Sequence, residues 1–442
     1  MNHGKAWRRG LLAALPLLAL AAAGQGCGAP DPERQAQEAE RQAEASERQA
    51  RQQEEAREKA AAKLDGGYVQ ASNRLGLQLY RQLAEERPDG NLLLSPWSVG
   101  EALGMAWQGS RAETAEEIRQ AGGWAAFSPQ EAARQAGGWR SYLELPSDGA
   151  RLSVANSLWV QQGREPLPSY RKTLEADYGA ELETADFAGG GAEAAERMNR
   201  WVDRDTEGMI PQIVDSSEPL DPETLAVLLN TVYFKGGWQD EFDPARTEQA
   251  AFAMDGGERL DVAMMQRGGS YPHLRTERFE AVRLPYGLKG GYRLLLVLPA
   301  RGLGVDDLLP DLERYEEWQD ELQAKAGSVA LPRFKAAVRS VLNEPLRQLG
   351  MRQAFAPGAD FGGMLEGSPD LQLSLVLQQV VLEVNEKGTE AAAATLMAEG
   401  GAAPPSDPFE FRADRPFFLA IEDGVSGAWL FLGRIGRPAD GA

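Results

Sequence analysis

Side chains that could carry out nucleophilic or acid–base catalysis are scarce in this chain. Its 442 residues include only two histidines, His3 and His273, and one cysteine, Cys27. His3 lies in a basic and apolar N-terminal segment, so a serine–histidine or cysteine–histidine pair would have to use His273. His273 follows Tyr271 and Pro272 in a stretch typical of a loop, which favours a lone surface histidine. The sequence therefore predicts that the protein is not an enzyme.

Composition narrows the function further. With 43% hydrophobic and 25% charged residues, the chain has the composition of a globular protein with a sizeable core. Its net charge of −20 opposes binding to nucleic acid or to an anionic membrane surface. A single cysteine rules out an intramolecular disulfide and a zinc site built on cysteines. We therefore expect a protein partner, and no cofactor or metal.

A run of very small side chains stands out near the C-terminus. The segment from Val384 to Thr395 reads VNEKGTEAAAAT, in which the end of a strand is followed by Gly388 and then by four alanines. Such a run can form an exposed loop, or it can enter between two existing strands, where only small side chains fit. It is also a good helix former and a poor strand former in isolation. The sequence thus predicts a segment that is irregular or helical in one state and extended in another.

The N-terminus has the pattern of an export signal. Three cations in the first ten residues precede an apolar run from Leu11 to Ala23 that is too short to span a bilayer comfortably. We assign residues 1–26 to a signal peptide. Cys27 then resembles the lipid-modified cysteine of bacterial lipoproteins, although Gly24 and Gln25 depart from the usual pattern. The alternative is ordinary cleavage near Ala23 or Gly26, which would leave Cys27 as a free thiol.

Residues 27–66 form a polar spacer between this signal and the domain. From Asp31 to Lys63 the segment is mostly alanine, glutamine, glutamate, arginine and lysine, without a large apolar residue. These residues favour a helix, but a helix that is polar all round has no face to bury. A semi-rigid helix and a disordered linker both remain open, and either would hold the domain away from a membrane.

Residues 67–438 alternate between helical and extended patterns. Helical spacing predicts a helix from Gln70 to Glu85 and another from Ala192 to Asp205. Apolar and β-branched runs predict strands at 152–160, at 224–234, which we expect to be central, and at 292–299. No regular strand–helix alternation occurs. The predicted class is α+β with large mixed sheets.

Four blocks in this domain resemble the serpin family. They are Asn91–Ser98 (NLLLSPWS), Asn230–Trp238 (NTVYFKGGW) with Phe242, Thr247 and Phe252, Glu386–Ala394 (EKGTEAAAA), and Phe411–Ile421 followed by Leu430–Arg434. The resemblance covers about 370 residues, from Gln70 to Pro438. It implies three β-sheets, about nine helices and an exposed reactive loop near the C-terminus. It also implies that a serine or cysteine protease attacks the loop, which then inserts into the largest sheet and traps the acyl-enzyme.

The resemblance assigns roles along the loop. The hinge comprises Glu386, Gly388, Thr389, Glu390, Ala391, Ala392, Ala393 and Ala394, and family spacing places the reactive bond between Ala402 and Ala403. Because alternate side chains of a strand face opposite sides, the residues from Thr389 to Met397 with odd numbers would face inward. Glu399 continues this parity, and burying its carboxylate would oppose the end of insertion. No Lys or Arg occurs from Gly388 to Phe411, which favours an elastase- or subtilisin-like protease over a trypsin-like one. Cleavage at Leu396 or Met397 by a chymotrypsin-like protease would lie close to the hinge and leave a nicked substrate.

Other family positions would control the opening of the sheet. Trp238 maps to the breach, where insertion begins, although it could also be an ordinary core tryptophan. The shutter positions map to Asn91, Ser95, Pro96, Ser98 and Asn199, and to Gln378 where a histidine is usual. Gln378 can still exchange hydrogen bonds with a serine but cannot carry a charge that depends on pH. The alternative is that Gln378 faces solvent from a strand.

The first hypothesis is an inhibitor that acts as a monomer and forms a covalent complex with its protease. Its rival is a non-inhibitory relative that serves as a carrier, a chaperone or a simple protease substrate. An exported lipoprotein facing the periplasm or the extracellular space, or otherwise a secreted protein, is the expected location.

Overall fold

The computed structural model describes residues 32–145, 147, 150–206, 208–215, 220–287, 291–365, 371–389 and 407–439. Two compact units are found, Met1–Glu47 and Arg48–Ala442. In the first unit, the described residues form part of one helix. No helix in the described residues is long and apolar enough to cross a membrane. The expected signal peptide and Cys27 lie outside the described residues.

The helices and strands follow the α+β pattern predicted from the sequence. The helices are α1 (Pro32–Ala61), α2 (Gly66–Glu86), α3 (Pro96–Gly109), α4 (Ala112–Ala121), α5 (Pro129–Leu143), α6 (Pro168–Thr173), α7 (Phe187–Asp205), α8 (Leu309–Leu312), α9 (Tyr315–Trp318) and α10 (Asn343–Gln348). The strands are β1 (Leu92–Leu94), β2 (Ala150–Gln161), β3 (Glu181–Ala185), β4 (Ala226–Gly237), β5 (Glu248–Ala253), β6 (Arg259–Arg275), β7 (Phe279–Tyr286), β8 (Tyr292–Pro299), β9 (Gln323–Pro332), β10 (Phe334–Val341), β11 (Leu375–Val384), β12 (Gly388–Thr389), β13 (Phe409–Arg412), β14 (Phe417–Asp423) and β15 (Trp429–Ile435).

Hydrogen bonding joins these strands into two sheets in the described part of the chain. One has the order β1-β15-β14-β8-β7-β6-β9-β13, with β5 paired to β6. The other has the order β10-β11-β4-β2-β3, with β12 paired to β4. The resemblance implies three sheets, but hydrogen bonding through β6 joins two of them into one. This long strand pairs with β5 and β9 over most of its length and with β7 at its C-terminal end.

The smaller sheet is buried on both faces around β4. Leu228, Val232 and Phe234 belong to the main hydrophobic core. Val227 and Leu229 instead pack in a second cluster with apolar side chains of α7. Because successive side chains of a strand point to opposite faces, a strand covered on both sides is predominantly apolar. This explains the continuous apolar run in the sequence and confirms the prediction of a central strand.

Within this sheet, β4 and β11 run parallel and adjacent. Seven residue pairs join them, from Leu375 opposite Val227 to Val381 opposite Tyr233. All other neighbours along the order of this sheet are antiparallel except β2 and β3. A strand that enters between β4 and β11 would therefore have to run antiparallel to both if it arrived from the end of β11.

The part of the spacer helix that belongs to the second unit has a buried face, contrary to the expectation from its composition. Ala50 and Arg57 are each only 2% exposed. An Nη atom of Arg57 donates to the carboxylate of Asp423 at 2.5 Å, and the guanidinium lies over the ring of Tyr142. A polar helix can thus be docked through one buried arginine, which a search for apolar stripes does not detect.

His273 is buried, and the prediction of a lone surface histidine is wrong. It lies in β6 rather than in a loop and is 8% exposed. Its ring stacks on Phe409 with centroids 4.1 Å apart, and its Nε2 atom lies 2.8 Å from the carboxylate of Glu280. Tyr271 and Pro272 were misleading because β6 continues through a proline opposite Ala324 of β9.

Candidate functional site

The chain turns sharply beside Trp238 where β11 ends. The indole Nε1 of Trp238 donates to the carbonyl of Asn385 at 2.9 Å, and its backbone N–H donates to the carbonyl of Lys387 at 3.0 Å. Between these, the carbonyl of Glu386 accepts from the backbone N–H of Phe242 at 2.8 Å. Three successive carbonyls are therefore held by one short segment after β4, which fixes the direction in which the chain leaves the sheet.

Gly388 occupies a position that only glycine fits. Its φ angle is +130°, and a Cβ atom there would lie 2.2 Å from the carbonyl oxygen of Gly236. The tight approach allows β12 to pair antiparallel with the end of β4, with Gly388 opposite Gly237 and Thr389 opposite Gly236. The first residues of the predicted loop thus begin an antiparallel strand on β4.

The side chain of Glu386 ties this turn to the strands around it. Its carboxylate accepts a hydrogen bond from the hydroxyl of Thr247 at 2.9 Å and lies 3.5 Å from the guanidinium of Arg333. Glu386 is 9% exposed, so these contacts are largely shielded from water. A charge-assisted hydrogen bond in such a place holds the turn in one orientation.

Trp238 covers this end of the sheet. It is 5% exposed and stacks on Tyr286, with ring centroids 4.3 Å apart and an interplanar angle of 10°. Phe242 packs edge-on against it at 5.9 Å. Because its indole N–H is also bound to the chain after β11, Trp238 is a core residue and a contact of the hinge at the same time. Its role as breach residue stays a prediction.

Arg267 lies beneath these rings and was not identified from the sequence. Its guanidinium is 4.5 Å from the ring centroid of Phe242 and 5.5 Å from that of Trp238. The guanidinium also lies 5.0 Å from the ring centroid of Tyr271, and burial lowers the pKa of Arg267. Aromatic faces therefore replace water around the cation. The available sequence signal was a cation two residues after Met265, on the same face of a buried strand.

The structure brings Ser95, Ser98 and Gln378 together under the seam between β4 and β11. Ser95 caps α3, followed by Pro96 in the first turn, and its hydroxyl accepts from the backbone N–H of Ser98 at 3.4 Å. The Gln378 side chain accepts from the backbone N–H of Ser95 at 2.9 Å and donates to the Ser95 carbonyl at 3.2 Å. Gln378 is 1% exposed, so it does not face solvent.

Asparagines on β4 and β2 extend this polar cluster. Gln378 donates to the side-chain oxygen of Asn230 at 2.6 Å, which links the two strands across their seam. The side-chain amide of Asn230 donates to the hydroxyl of Ser98 and to the side-chain oxygen of Asn156. Asn156 in turn donates to the carboxylate of Glu101 at 2.8 Å. Asn156 and Glu101 were not predicted from the sequence. The signal for Glu101 was a charged residue among the small residues of α3.

Asn91 and Asn199 lie apart from this cluster, which corrects their assignment to the shutter. The side chain of Asn91 bonds to the backbone of Gly436 and Arg437 near the C-terminus. The side chain of Asn199 bonds to the backbone of Ile213 and Val214 beside α7. Both amides satisfy buried or constrained backbone groups, a role that short sequence motifs do not distinguish from membership of a side-chain network.

Several predicted site residues lie outside the described part of the chain. These are Cys27, Glu390, Ala391, Ala392, Ala393, Ala394, Glu399 and the proposed reactive bond between Ala402 and Ala403. In the described ranges, no group of three or more histidine, cysteine, aspartate or glutamate side chains is arranged to hold a metal ion.

Known proteins of similar sequence and structure match almost the whole domain. The family model for serpin, serine protease inhibitor, matches residues 70–438. Iripin-2 of Ixodes ricinus is 34% identical over 85% of this chain and 95% of its own, and the leukocyte elastase inhibitor of Bos taurus is 34% identical over 83% and 98%. The crystal structure of Serpin48 of Tenebrio molitor superimposes with a TM-score of 0.76 at 29% identity, covering 85% of this chain and 99% of that one. The chain belongs to the serpin family.

Proposed function

We propose that this serpin is a suicide inhibitor of a serine or cysteine protease, and that it works by inserting its cleaved reactive loop between β4 and β11. Serpins are protease inhibitors rather than enzymes, and two of the relatives above carry protease-inhibitor or serpin names. The observation that carries the proposal for this chain is β12. Its two residues already pair antiparallel with β4 at the end of the seam.

The register of β12 defines where the inserted loop would lie. Gly388 is opposite Gly237 and Thr389 is opposite Gly236, so each later residue would move one step back along β4. Continued in this way, Ala393 would lie opposite Val232 and Thr395 opposite Asn230. The inserted strand would then reach the Gln378–Asn230 hydrogen bond at Thr395, whose hydroxyl can replace it.

Burial of β4 supports the predicted inward and outward faces of the loop. Residues opposite one another in an antiparallel pair point to the same side of the sheet. Phe234 and Val232, which would face Ala391 and Ala393, are fully buried in the main core. The main core would thus receive only small side chains and the apolar Met397 until Glu399, which would lie opposite the buried Ala226.

The loop sequence favours a protease with a small specificity pocket. Family spacing places Ala402 before the attacked bond and Ala403 after it, and there is no lysine or arginine from Gly388 to Phe411 that could enter the acidic pocket of a trypsin-like protease. A relative named leukocyte elastase inhibitor is consistent with an elastase-like target. We propose an elastase- or subtilisin-like protease.

Two adjacent substitutions in the loop test the insertion mechanism. Ala393→Arg would place a cation opposite Val232, which is fully buried, whereas Ala392→Arg would lie opposite the partly exposed Tyr233. We expect Ala393→Arg to abolish the covalent complex with elastase or subtilisin on denaturing gels and to leave a cleaved serpin, and Ala392→Arg to retain most of the complex. Clean cleavage of the unmodified chain, without a covalent band or a gain in heat stability, would support the non-inhibitory carrier, chaperone or substrate instead.

We further propose that the protein is exported, anchored through a lipid on Cys27, and monomeric. The basic and apolar segment before Cys27 and the polar residues after it support this location. Detergent partition and the intact mass of the exported protein test it. A water-soluble species without the mass of a lipid would indicate ordinary secretion.

A further inference from the structure

Glu101 ends the hydrogen-bond chain that crosses the seam between β4 and β11. Gln378 on β11 donates to Asn230 on β4, Asn230 donates to Asn156 on β2, and Asn156 donates to Oε2 of Glu101 on α3 at 2.8 Å. In each of these bonds, the side-chain amide nitrogen of one residue donates to a side-chain oxygen of the next. The carboxylate is the acceptor at the end.

The carboxylate of Glu101 is poorly solvated. The residue is 1% exposed, and its Oε1 atom has no hydrogen-bond partner among the described residues. Burial raises the pKa of Glu101 from its ordinary value of 4.5 to about 7, even though Arg140 and the hydrogen bond from Asn156 act to lower it. Glu144 adds a smaller upward influence.

The other ionisable groups facing Glu101 come from α2, from α5 and its C-terminal cap, and from the turn after α6. Arg140 in the last turn of α5 and Glu144, which caps the C-terminus of that helix, form an ion pair at 3.0 Å. Tyr68 of α2 and Tyr178 after α6 also face it, and burial raises the pKa of both phenols above the ordinary value of 10. Because burial raises its pKa to about 7, Glu101 changes charge between mildly acidic and mildly basic pH.

Separation of β4 from β11 would change the surroundings of Glu101. Gln378 is bound to Ser95 at the start of α3, the helix that also carries Glu101. Asn230 and Asn156 belong instead to β4 and β2, which are joined by eleven residue pairs. The hydrogen bond from Asn230 to Ser98 of α3 would break if these strands moved away from the helix. If β4 and β2 move away together, Asn156 leaves Glu101 and water can enter. A hydrated carboxylate releases its proton more readily than a buried one.

We propose that Glu101 makes the opening of this seam depend on pH, with deprotonation of its carboxylate favouring the open sheet. The hydrogen bond from Asn156 stabilises the ionised carboxylate in the closed sheet, but burial destabilises it by more. Ionised Glu101 is therefore more stable in the open sheet, where water reaches it. The proposal rests on the proposed function in that the same seam is the route of loop insertion. Gln378, which stands where a histidine is usual, cannot carry a charge that depends on pH. The proposal assigns the pH dependence of the seam to Glu101 instead.

Native-state hydrogen exchange of the full chain tests the proposal without a protease. The measurement compares peptides from β4 and β11 in the unmodified chain and in Glu101→Gln, at about pH 5.5 and about pH 8, where a carboxylate with a raised pKa changes charge. Dividing the two proteins' rates at each pH removes the intrinsic effect of pH on exchange. If the open state restores the ordinary pKa of 4.5, this ratio rises up to about 30-fold over the range. Glu113→Gln, which removes an exposed charge from α4, should leave the profile of the seam unchanged.

A ratio that does not change with pH would overturn the proposal. If Glu101→Gln does not fold, the unmodified chain provides its own comparison, because exchange in β4 and β11 can be divided by exchange in β7 and β8 at the same pH. A constant quotient would again overturn it.

A labelled peptide with the sequence of residues 389–402 separates this proposal from the mechanism of inhibition. Incorporation of the peptide that is faster at the higher pH in the unmodified chain, but not in Glu101→Gln, supports both. Failure of the peptide to enter, with exchange at the seam still dependent on pH, would refute insertion and leave the role of Glu101 standing.

Discussion

Replacing Arg57 by methionine tests whether the helix before the serpin domain is part of its folded structure. The side chains of Arg57 and Asp423 are 2% and 0% exposed, and the ion pair between them is 2.5 Å long. Burial acts to lower the pKa of Arg57, but Tyr292 and Asp423 outweigh it, so the guanidinium stays charged. Methionine keeps the apolar stem and removes only the cation and its donors.

The expected loss of stability follows from what remains around Asp423. Removing one partner of a buried ion pair costs about 3–5 kcal/mol because the other charge stays buried. Asp423 would still accept hydrogen bonds from the hydroxyl of Tyr142 at 2.6 Å and from the backbone N–H of Ser426 at 2.9 Å. We therefore expect the lower end of the range, about 3 kcal/mol.

Urea unfolding followed by tryptophan fluorescence measures this change in the full chain. Lys59→Met is the matched control, because Lys59 lies on the same helix, is 77% exposed and pairs with Glu55 at 3.6 Å. Such an exposed pair contributes at most about 0.5 kcal/mol. Asp423→Asn and the double variant complete a cycle in which the pair should show a coupling of about 2 kcal/mol. Equal unfolding midpoints for Arg57→Met and Lys59→Met would refute the structural role of Arg57.

Three further changes have outcomes that the structure specifies. Gly388→Ala should cost about 1–3 kcal/mol and expose the hinge to limited proteolysis, because its Cβ would meet the Gly236 carbonyl, while Gly302→Ala, also at positive φ but in open space, should leave the hinge protected. Relative to Glu101→Gln, the unmodified chain should lose about 3 kcal/mol of stability as pH rises from 4.5 to about 7, because the folded state binds the proton more tightly than the unfolded state. Urea unfolding measures this loss, and a constant difference between the midpoints of the two proteins across that range would contradict it. Glu399→Ala should speed loop insertion or raise the yield of trapped protease in stopped-time gel assays, and an unchanged rate and yield would count against a buried carboxylate at the end of the inserted strand.

Local sequence patterns were sufficient for the elements near the site. Periodicity placed α2, α7, β2, β4 and β8 to within a few residues, because each has an apolar pattern that matches its period. The hinge could also be predicted from the sequence, because Gly388 and the small residues after it are unusual at the end of a strand. The resemblance to serpins then assigned positions that periodicity alone does not assign.

Contacts between distant segments were not predictable in the same way. His273 was placed on the surface because its neighbours suggested a loop, but stacking on Phe409 depends on strand β13, more than a hundred residues later. Asn91 and Asn199 were grouped with the shutter because their motifs are near it in the family pattern. Each side-chain amide instead forms hydrogen bonds with the backbone groups that folding places beside it.

The sequence by itself determined the family, the order of the elements and the residues that can form a hinge, because these depend on short-range pattern and side-chain size. Only the tertiary structure decided which polar groups share the interior. Arg57 pairs with Asp423, Arg267 lies beneath the rings of Trp238 and Phe242, and Glu101 is the last acceptor of the hydrogen-bond chain under β4 and β11. The physical reason is that the free energy of a buried charge depends on the partners that folding brings to it, and those partners come from distant parts of the chain.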